Sequence, residues 1–164
     1  MSEIRVDAIK TRAGAVPKAG DLGLNVTGNL LQVVHASTTT EVSTTSDSFT
    51  DTGLTASITP SSTSSKILVL YALQQFINNS GGASKFKLFR GSTELIEHGF
   101  QGYAGASTLM SKGPHQFLDS PSTTSATTYK VQFNSQVGGH NVLMQYDDSN
   151  GDGVSEITLM EIAG

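Results

Sequence analysis

Apolar and polar residues alternate in short stretches along most of this chain. Residues 54–58 place an apolar side chain at every second position, and residues 128–137 do so at Tyr129, Val131 and Phe133. This is the period of a strand with one buried face. No long segment carries apolar residues at the i, i+3, i+4 and i+7 positions of an amphipathic helix. The pattern therefore predicts an all-β protein.

About eight strands are expected, separated by clusters of Gly, Pro, Ser or Asn. They are residues 30–36, 41–46, 54–58, 66–73, 85–90 with 93–97 as a hairpin, 128–137, 141–146 and the end of the chain around 157–163. The most apolar of them, residues 66–73 (KILVLYAL), should lie centrally and be buried on both faces. This spacing is typical of an antiparallel, jelly-roll-like β-sandwich, with a TNF/C1q-like trimer as one arrangement.

The first 29 residues differ from the rest, and we expect them to form an extended attachment arm before a sandwich domain at residues 30–164. They hold 4 of the 10 basic residues, four glycines and a proline. Their aliphatic residues are too scattered for a core of their own, but more numerous than a solvated tail, the alternative, requires. These residues are Ile4, Val6, Ile9, Val16, Leu22, Leu24 and Val26.

The composition of the chain argues against several classes of function. Ser and Thr number 21 and 19, Gly 17 and Cys zero, which excludes disulfides and thiolate metal sites. The net charge of −4 argues against nucleic-acid binding, and no apolar run is long enough for membrane insertion. The amino terminus does not resemble a secretory signal. We find no catalytic motif and expect neither an enzyme nor a cofactor.

One motif could hold a cation. From Asp148 the sequence matches the start of a calcium loop, with Asp148, Asn150 and Asp152 at alternating positions before Gly153. The acid required at the twelfth position is missing, because Leu159 stands there. Asn-Gly and Asp-Gly are also preferred in hairpin turns, so a plain turn is the stronger expectation and a weak calcium site the alternative.

The histidines and one segment rich in small residues are further candidates for binding. The four histidines, at positions 35, 98, 115 and 140, form no metal-ligand motif and are expected at the surface or at strand edges. Residues 99–110 surround Phe100 and Tyr103 with small residues. They predict either a long loop whose aromatic rings pack on the sandwich edge, or a contact for a glycan or another subunit.

Three segments carry a family resemblance. The opening SEIRVDAIKTRAG with LNVTGNLLQVV resembles the N-terminal arms of tail-fibre and related virion proteins of marine bacteriophages. Residues 44–70 (TTSDSFTDTGLTASITPSSTSSKILVL) are similar to a recurrent segment of these proteins, and the closing SEITLMEI is similar to their final strand. Together the segments cover about half of the chain, and residues 79–153 show no such similarity.

The resemblance implies a virion structural protein, assembled in the host cytoplasm, with a trimeric sandwich. The chain is short and has no shaft repeats. These features favour a short fibre, an appendage or a capsid-decoration subunit over a long fibre. The arm would bind other capsid or tail proteins, and the apolar positions of residues 66–73 and the last strand would form the trimer contact. The alternative is a carbohydrate-binding module that recognises a host surface glycan.

Overall fold

Strands and their connections make up the part of the chain that the structure describes. The computed structural model describes residues 27–105, 107–148 and 151–164, with the backbone alone at 100, 101, 148, 151 and 152. The strands are β1 (Leu30–Thr38), β2 (Val42–Thr44), β3 (Thr50–Ile58), β4 (Lys66–Ile77), β5 (Ala83–Arg90), β6 (Thr93–Tyr103), β7 (Leu109–Asp119), β8 (Thr127–Ser135), β9 (Val142–Met144), β10 (Asp147–Asp148), β11 (Gly151–Asp152) and β12 (Ser155–Ile162). The all-β prediction is confirmed.

The eight long strands form two antiparallel sheets. Sheet A has the order β1-β12-β4-β7. The short strand β9 pairs with β4 next to the start of β12, and β2 pairs with β9. Sheet B has the order β3-β8-β5-β6. The first long strand pairs with the last, β3 with β8, β4 with β7 and β5 with β6. This nested pairing is that of a jelly roll, as the strand spacing indicated.

Side-chain alternation builds the core between the sheets. Along β4, Ile67, Val69, Tyr71 and Leu73 are buried, while the residues between them point to the outer face of sheet A. The other strands add side chains that are no more than 2% exposed: Leu54, Ile58, Phe86, Leu88, Tyr129, Val131, Phe133, Ile157 and Leu159. Burial of this single apolar layer is what holds the two sheets together.

The most apolar strand departs from the prediction in one respect. As expected, β4 lies centrally, between β12 and β7. It was predicted to be buried on both faces, but Leu68, Leu70 and Ala72 are only half-buried. The reason is that no described element packs over the outer face of sheet A.

Strand β7 was not predicted, and the long loop expected over residues 99–110 was wrong. Strand β6 continues to Tyr103, and β7 begins at Leu109. Gly113 and Pro114 interrupt the apolar alternation of β7, so its sequence lacks a strand pattern. Pro is tolerated there because, within the described part of the chain, β7 pairs only with β4 and its other edge is free.

The two residues before β1 are hydrogen-bonded to the end of the chain. The Gly28 amide donates to the Ala163 carbonyl at 2.7 Å, and the Ala163 amide donates to the Asn29 carbonyl at 2.8 Å. Residues 28 and 29 therefore pair with the end of the chain. The seven aliphatic residues of the expected arm lie outside the described residues, and the arm stays a prediction.

Candidate functional site: the outer face of sheet A

The outer faces of the two sheets differ in chemistry. On sheet B, Lys87 lies 2.8 Å from Glu94 and 3.2 Å from Glu97, and Lys130 lies 3.0 Å from Asp51. Such exposed ion pairs contribute little to stability, but they keep a face well hydrated. Sheet B therefore presents water with a charged surface.

Sheet A instead carries an apolar row across all four of its long strands. In the strand register Val33 lies beside Met160, Met160 beside Leu68, and Leu68 beside Leu118. We call these four residues the apolar row. Val33 is 51% exposed and Leu118 55% exposed, whereas the two central members are half-buried.

Apolar exposure is concentrated on the two edge strands of sheet A. Among the described residues, six large hydrophobic side chains are at least 40% exposed, and four of them belong to β1 or β7: Leu30, Val33, Met110 and Leu118. Scattered exposed hydrophobics are ordinary, but a contiguous apolar surface is typical of a contact with another molecule. The outer face of sheet A is therefore the candidate site.

A shallow depression adjoins the apolar row. It has a volume of about 560 Å³, and Leu70, Ala72 and Pro114 contribute its apolar lining. The small side chain of Ala72, set between Glu156 and Pro114 in the register, leaves this space open. The depression would accept a side chain from a molecule bound to this face.

Polar groups border the depression. His35 Nδ1 lies 3.0 Å from Thr158 Oγ1, and Lys112 Nζ lies 2.7 Å from Glu156 Oε2. The hydrogen bond and the positive charge of Lys112 lower the pKa of Glu156. These polar groups can form hydrogen bonds or ion pairs with a molecule bound at the border of the depression.

The structure also brings together two histidines that were expected at the surface or at strand edges. His98 and His115 lie on the edge strands β6 and β7, but their ring centroids are only 4.6 Å apart across the gap between the sheets. His115 pairs with Tyr71 in sheet A and His98 with Phe86 in sheet B. Tyr71 stacks on His115 at 5.1 Å, and Phe86 meets His115 edge-on at 5.7 Å. We call these four rings the ring quartet.

Partial burial favours the neutral form of both histidines. It lowers the pKa of His98, and together with the proximity of His98 it lowers the pKa of His115 to about 4. Tyr71 Oη and His98 Nε2 are buried and have no hydrogen-bond partner among the described residues. The spacing of His98 and His115 in the sequence does not predict their contact, because the two rings meet only when β6 and β7 close the side of the sandwich.

The structure gives the candidate calcium loop a hairpin backbone. Asp147 pairs with Asp152, and Asp148 pairs with Gly151, so two residues separate β10 from β11. The loop residue Asn150 lies outside the described residues, and the side chains of Asp148 and Asp152 are not described. Among the described residues, no three His, Asp or Glu side chains form a metal-binding group. The calcium site stays a prediction.

The two aromatic residues singled out for binding both belong to β6. Tyr103 is 62% exposed, the largest exposed fraction of any large hydrophobic side chain among the described residues. It adjoins a turn in which the Gly81 amide donates to the Ala104 carbonyl at 2.6 Å. The side chain of Phe100 is not described. A contact at these residues stays a prediction.

Comparison with known proteins adds little. No protein family matches the sequence, and no curated protein matches it. A solved structure of infectious bursal disease virus Gx strain is similar at 13% sequence identity and a TM-score of 0.36, over 82% of this chain and 39% of the other. This chain thus spans less than half of that protein's length, and a likeness this weak carries no argument about function. Among the described residues, no helix is long and apolar enough to cross a membrane.

Proposed function

We propose that this chain is a non-enzymatic structural subunit of a bacteriophage particle, a short tail-fibre, appendage or capsid-decoration protein. Residues 1–29 anchor it to other virion proteins, and the outer face of sheet A joins three copies into a homotrimer. The observation that carries the trimer proposal is the apolar row on sheet A, beside the ion-paired surface of sheet B. The sequence resemblance supports the virion assignment.

Closed cyclic symmetry suits a face of this kind. The apolar row runs from one edge strand of sheet A to the other, so neighbouring copies can cover both of its exposed ends. Burying the exposed parts of Val33 and Leu118 contributes about 1 kcal/mol for each side chain. The depression beside the row takes up side chains from the next copy, and the Lys112–Glu156 pair lies at its rim.

Two matched valine substitutions test the trimer contact. Val33→Asp introduces a charge into the apolar row, whereas Val137→Asp introduces the same charge at a valine that is 40% exposed outside sheet A. In sedimentation velocity at micromolar concentration, we expect Val33→Asp to sediment as a monomer and Val137→Asp as a trimer. Trimers of both variants would contradict a contact through this face.

The particle assignment has its own test. Cryo-electron microscopy of purified particles that carry the protein should show trimeric density on the capsid or on the tail. Complete loss of the protein when particles are purified through a density gradient would contradict a structural role.

A carbohydrate-binding module is the second candidate, and the exposed ring of Tyr103 favours it. An aromatic face among small residues is suited to stacking against a sugar ring. A glycan array probed with the intact chain and with Tyr103→Ala tests this role. Binding that the substitution abolishes would support the module, and absence of binding by the intact chain would favour the purely structural role.

A further inference from the structure

We propose that His98 and His115 form an acid-sensitive latch, which holds β6 against β7 at neutral pH and releases it when the pair takes up protons. The latch is a property of the sandwich itself and does not depend on the trimer or on the virion assignment. It would let this protein respond to acidification by opening one side of the sandwich.

The first step of the argument is the way in which this side is closed. Among the described residues, β6 is the outermost strand of sheet B and pairs only with β5, while β7 is the outermost strand of sheet A and pairs only with β4. Among the described residues no backbone ladder joins β6 to β7. Side-chain packing, including that of His98 against His115, therefore holds the two edges together.

The second step concerns the groups that face the pair. Strand β4 contributes Tyr71, and β5 contributes the uncharged Phe86, so the titratable groups of the ring quartet are the two histidines and a tyrosine. Of the other charged residues on the same two strands, Glu94, Glu97 and Lys112 form ion pairs on the outer faces instead. Asp119, at the end of β7, pairs with Arg90. Among the described residues, no carboxylate therefore adjoins the ring quartet to stabilise an imidazolium.

The third step is the effect of a proton. Uptake by either histidine places a cation between the sheets, and uptake by both places like charges at a centroid separation of 4.6 Å. Separating the edges hydrates both rings. The sheets can retain their own ladders during this change, since neither ladder crosses the gap.

The sign of the pH dependence follows from the burial. The pKa values of both histidines are lowered in the closed state, that of His115 to about 4, so the open state binds more protons. Closure is fully stable above the ordinary histidine pKa of about 6.5 and is weakened progressively below it. When the pH falls from 7 to 4.5, we expect the equilibrium constant for opening to rise by about tenfold. The rise is no larger because both rings are partly exposed to solvent in the closed state.

Hydrogen–deuterium exchange on the full chain measures this opening directly. On acidification to pH 4.5, and after correction for the intrinsic exchange rate, we expect protection in β6 and β7 to fall by about tenfold relative to β1 and β12. An equal change in all four strands would contradict the latch, because acid would then destabilise the whole sandwich.

Substitutions separate the latch from the acid sensitivity of carboxylates. The double variant His98→Phe and His115→Phe keeps aromatic rings in place and should lose the selective change in β6 and β7. His140→Phe, a change of the same kind in the loop between β8 and β9, should retain it. Retention of the selective change in the double variant would overturn the proposal.

A measurement without substitutions covers the case in which the double variant does not fold. Proton NMR titration of the unmodified chain should show that His98 and His115 titrate below the ordinary histidine pKa of about 6.5. Ordinary titration of both residues would overturn the proposal.

Discussion

Arg90 donates hydrogen bonds from one nitrogen to both carboxylate oxygens of Asp119, at 2.9 and 2.8 Å. Tyr129 Oη donates to the same carboxylate at 2.7 Å. The Asp119 side chain is 7% exposed and that of Arg90 28% exposed. The carboxylate thus joins the ends of β5 and β7 to the start of β8, where sheet A meets sheet B.

Removing this carboxylate should destabilise the sandwich strongly. Asp119→Ala leaves the half-buried guanidinium of Arg90 and the buried hydroxyl of Tyr129 without their partner. We expect the free energy of unfolding in urea to fall by about 2–3 kcal/mol. Tyr129→Phe removes one hydrogen bond only and should cost about 1–2 kcal/mol. Equal losses for the two variants would contradict this role of Asp119.

Glu161 gives the sandwich a second pH dependence. Burial alone would raise the pKa of Glu161, but hydrogen bonds from Ser65, Gln32 and Ser61 outweigh burial and lower it. The lowered pKa stabilises the fold above the ordinary glutamate pKa of about 4.3, and this stability is lost as the pH falls through the folded value. Glu161→Gln should therefore flatten the loss of stability between pH 6 and pH 3, measured by urea unfolding.

The control for Glu161 is an exposed acid. Glu94 pairs with Lys87 on the outer face of sheet B and has a side chain that is 43% exposed. Glu94→Gln should leave both the stability and its pH dependence nearly unchanged. An effect as large as that of Glu161→Gln would show that the hydrogen bonds to Glu161 are not the cause.

Two glycines of β6 differ in the space around them. A Cβ at Gly102 would lie 2.9 Å from Gln75 Nε2 and 3.0 Å from Ile77 Cδ1, whereas a Cβ at Gly99 would meet nothing within 4 Å. Gly102→Ala should lower the thermal stability, by about 1–3 kcal/mol in free energy, because it overpacks the contact of β6 with sheet A. Gly99→Ala should change it little, and the reverse order would contradict this packing.

The arm can be tested by truncation. Since residues 28 and 29 pair with Ala163, deletion of residues 1–26 should leave the sandwich folded, with an unchanged circular dichroism spectrum. The truncated chain should fail to join particles lacking the protein, whereas the full chain should join them. Unfolding on truncation would show that the arm belongs to the core.

The sequence was sufficient to predict the strands whose inner and outer residues differ in chemistry. The hairpin of β5 and β6 was predicted from Gly91-Ser92, and Gly91 has the positive φ of 57° that two-residue turns favour at this place. Strand β7 escaped prediction because a strand with one free edge can contain Gly and Pro, which are absent from most strand patterns.

The candidate site was predicted in part. The apolar positions of residues 66–73 and of the last strand were expected at a subunit contact, and two of them, Leu68 and Met160, lie side by side on the outer face of sheet A. Val33 and Leu118 were not singled out, because their place in the apolar row depends on the register of β1 and β7 with the central strands. The pairing of His98 with His115 likewise depends on long-range closure, which local periodicity does not encode.

Counting the subunits tests the central claim most directly. Multi-angle light scattering on the full, unmodified chain at micromolar concentration should give three times the chain mass of 17.2 kDa. A strict monomer over the whole concentration range would contradict the proposal that the outer face of sheet A assembles this protein.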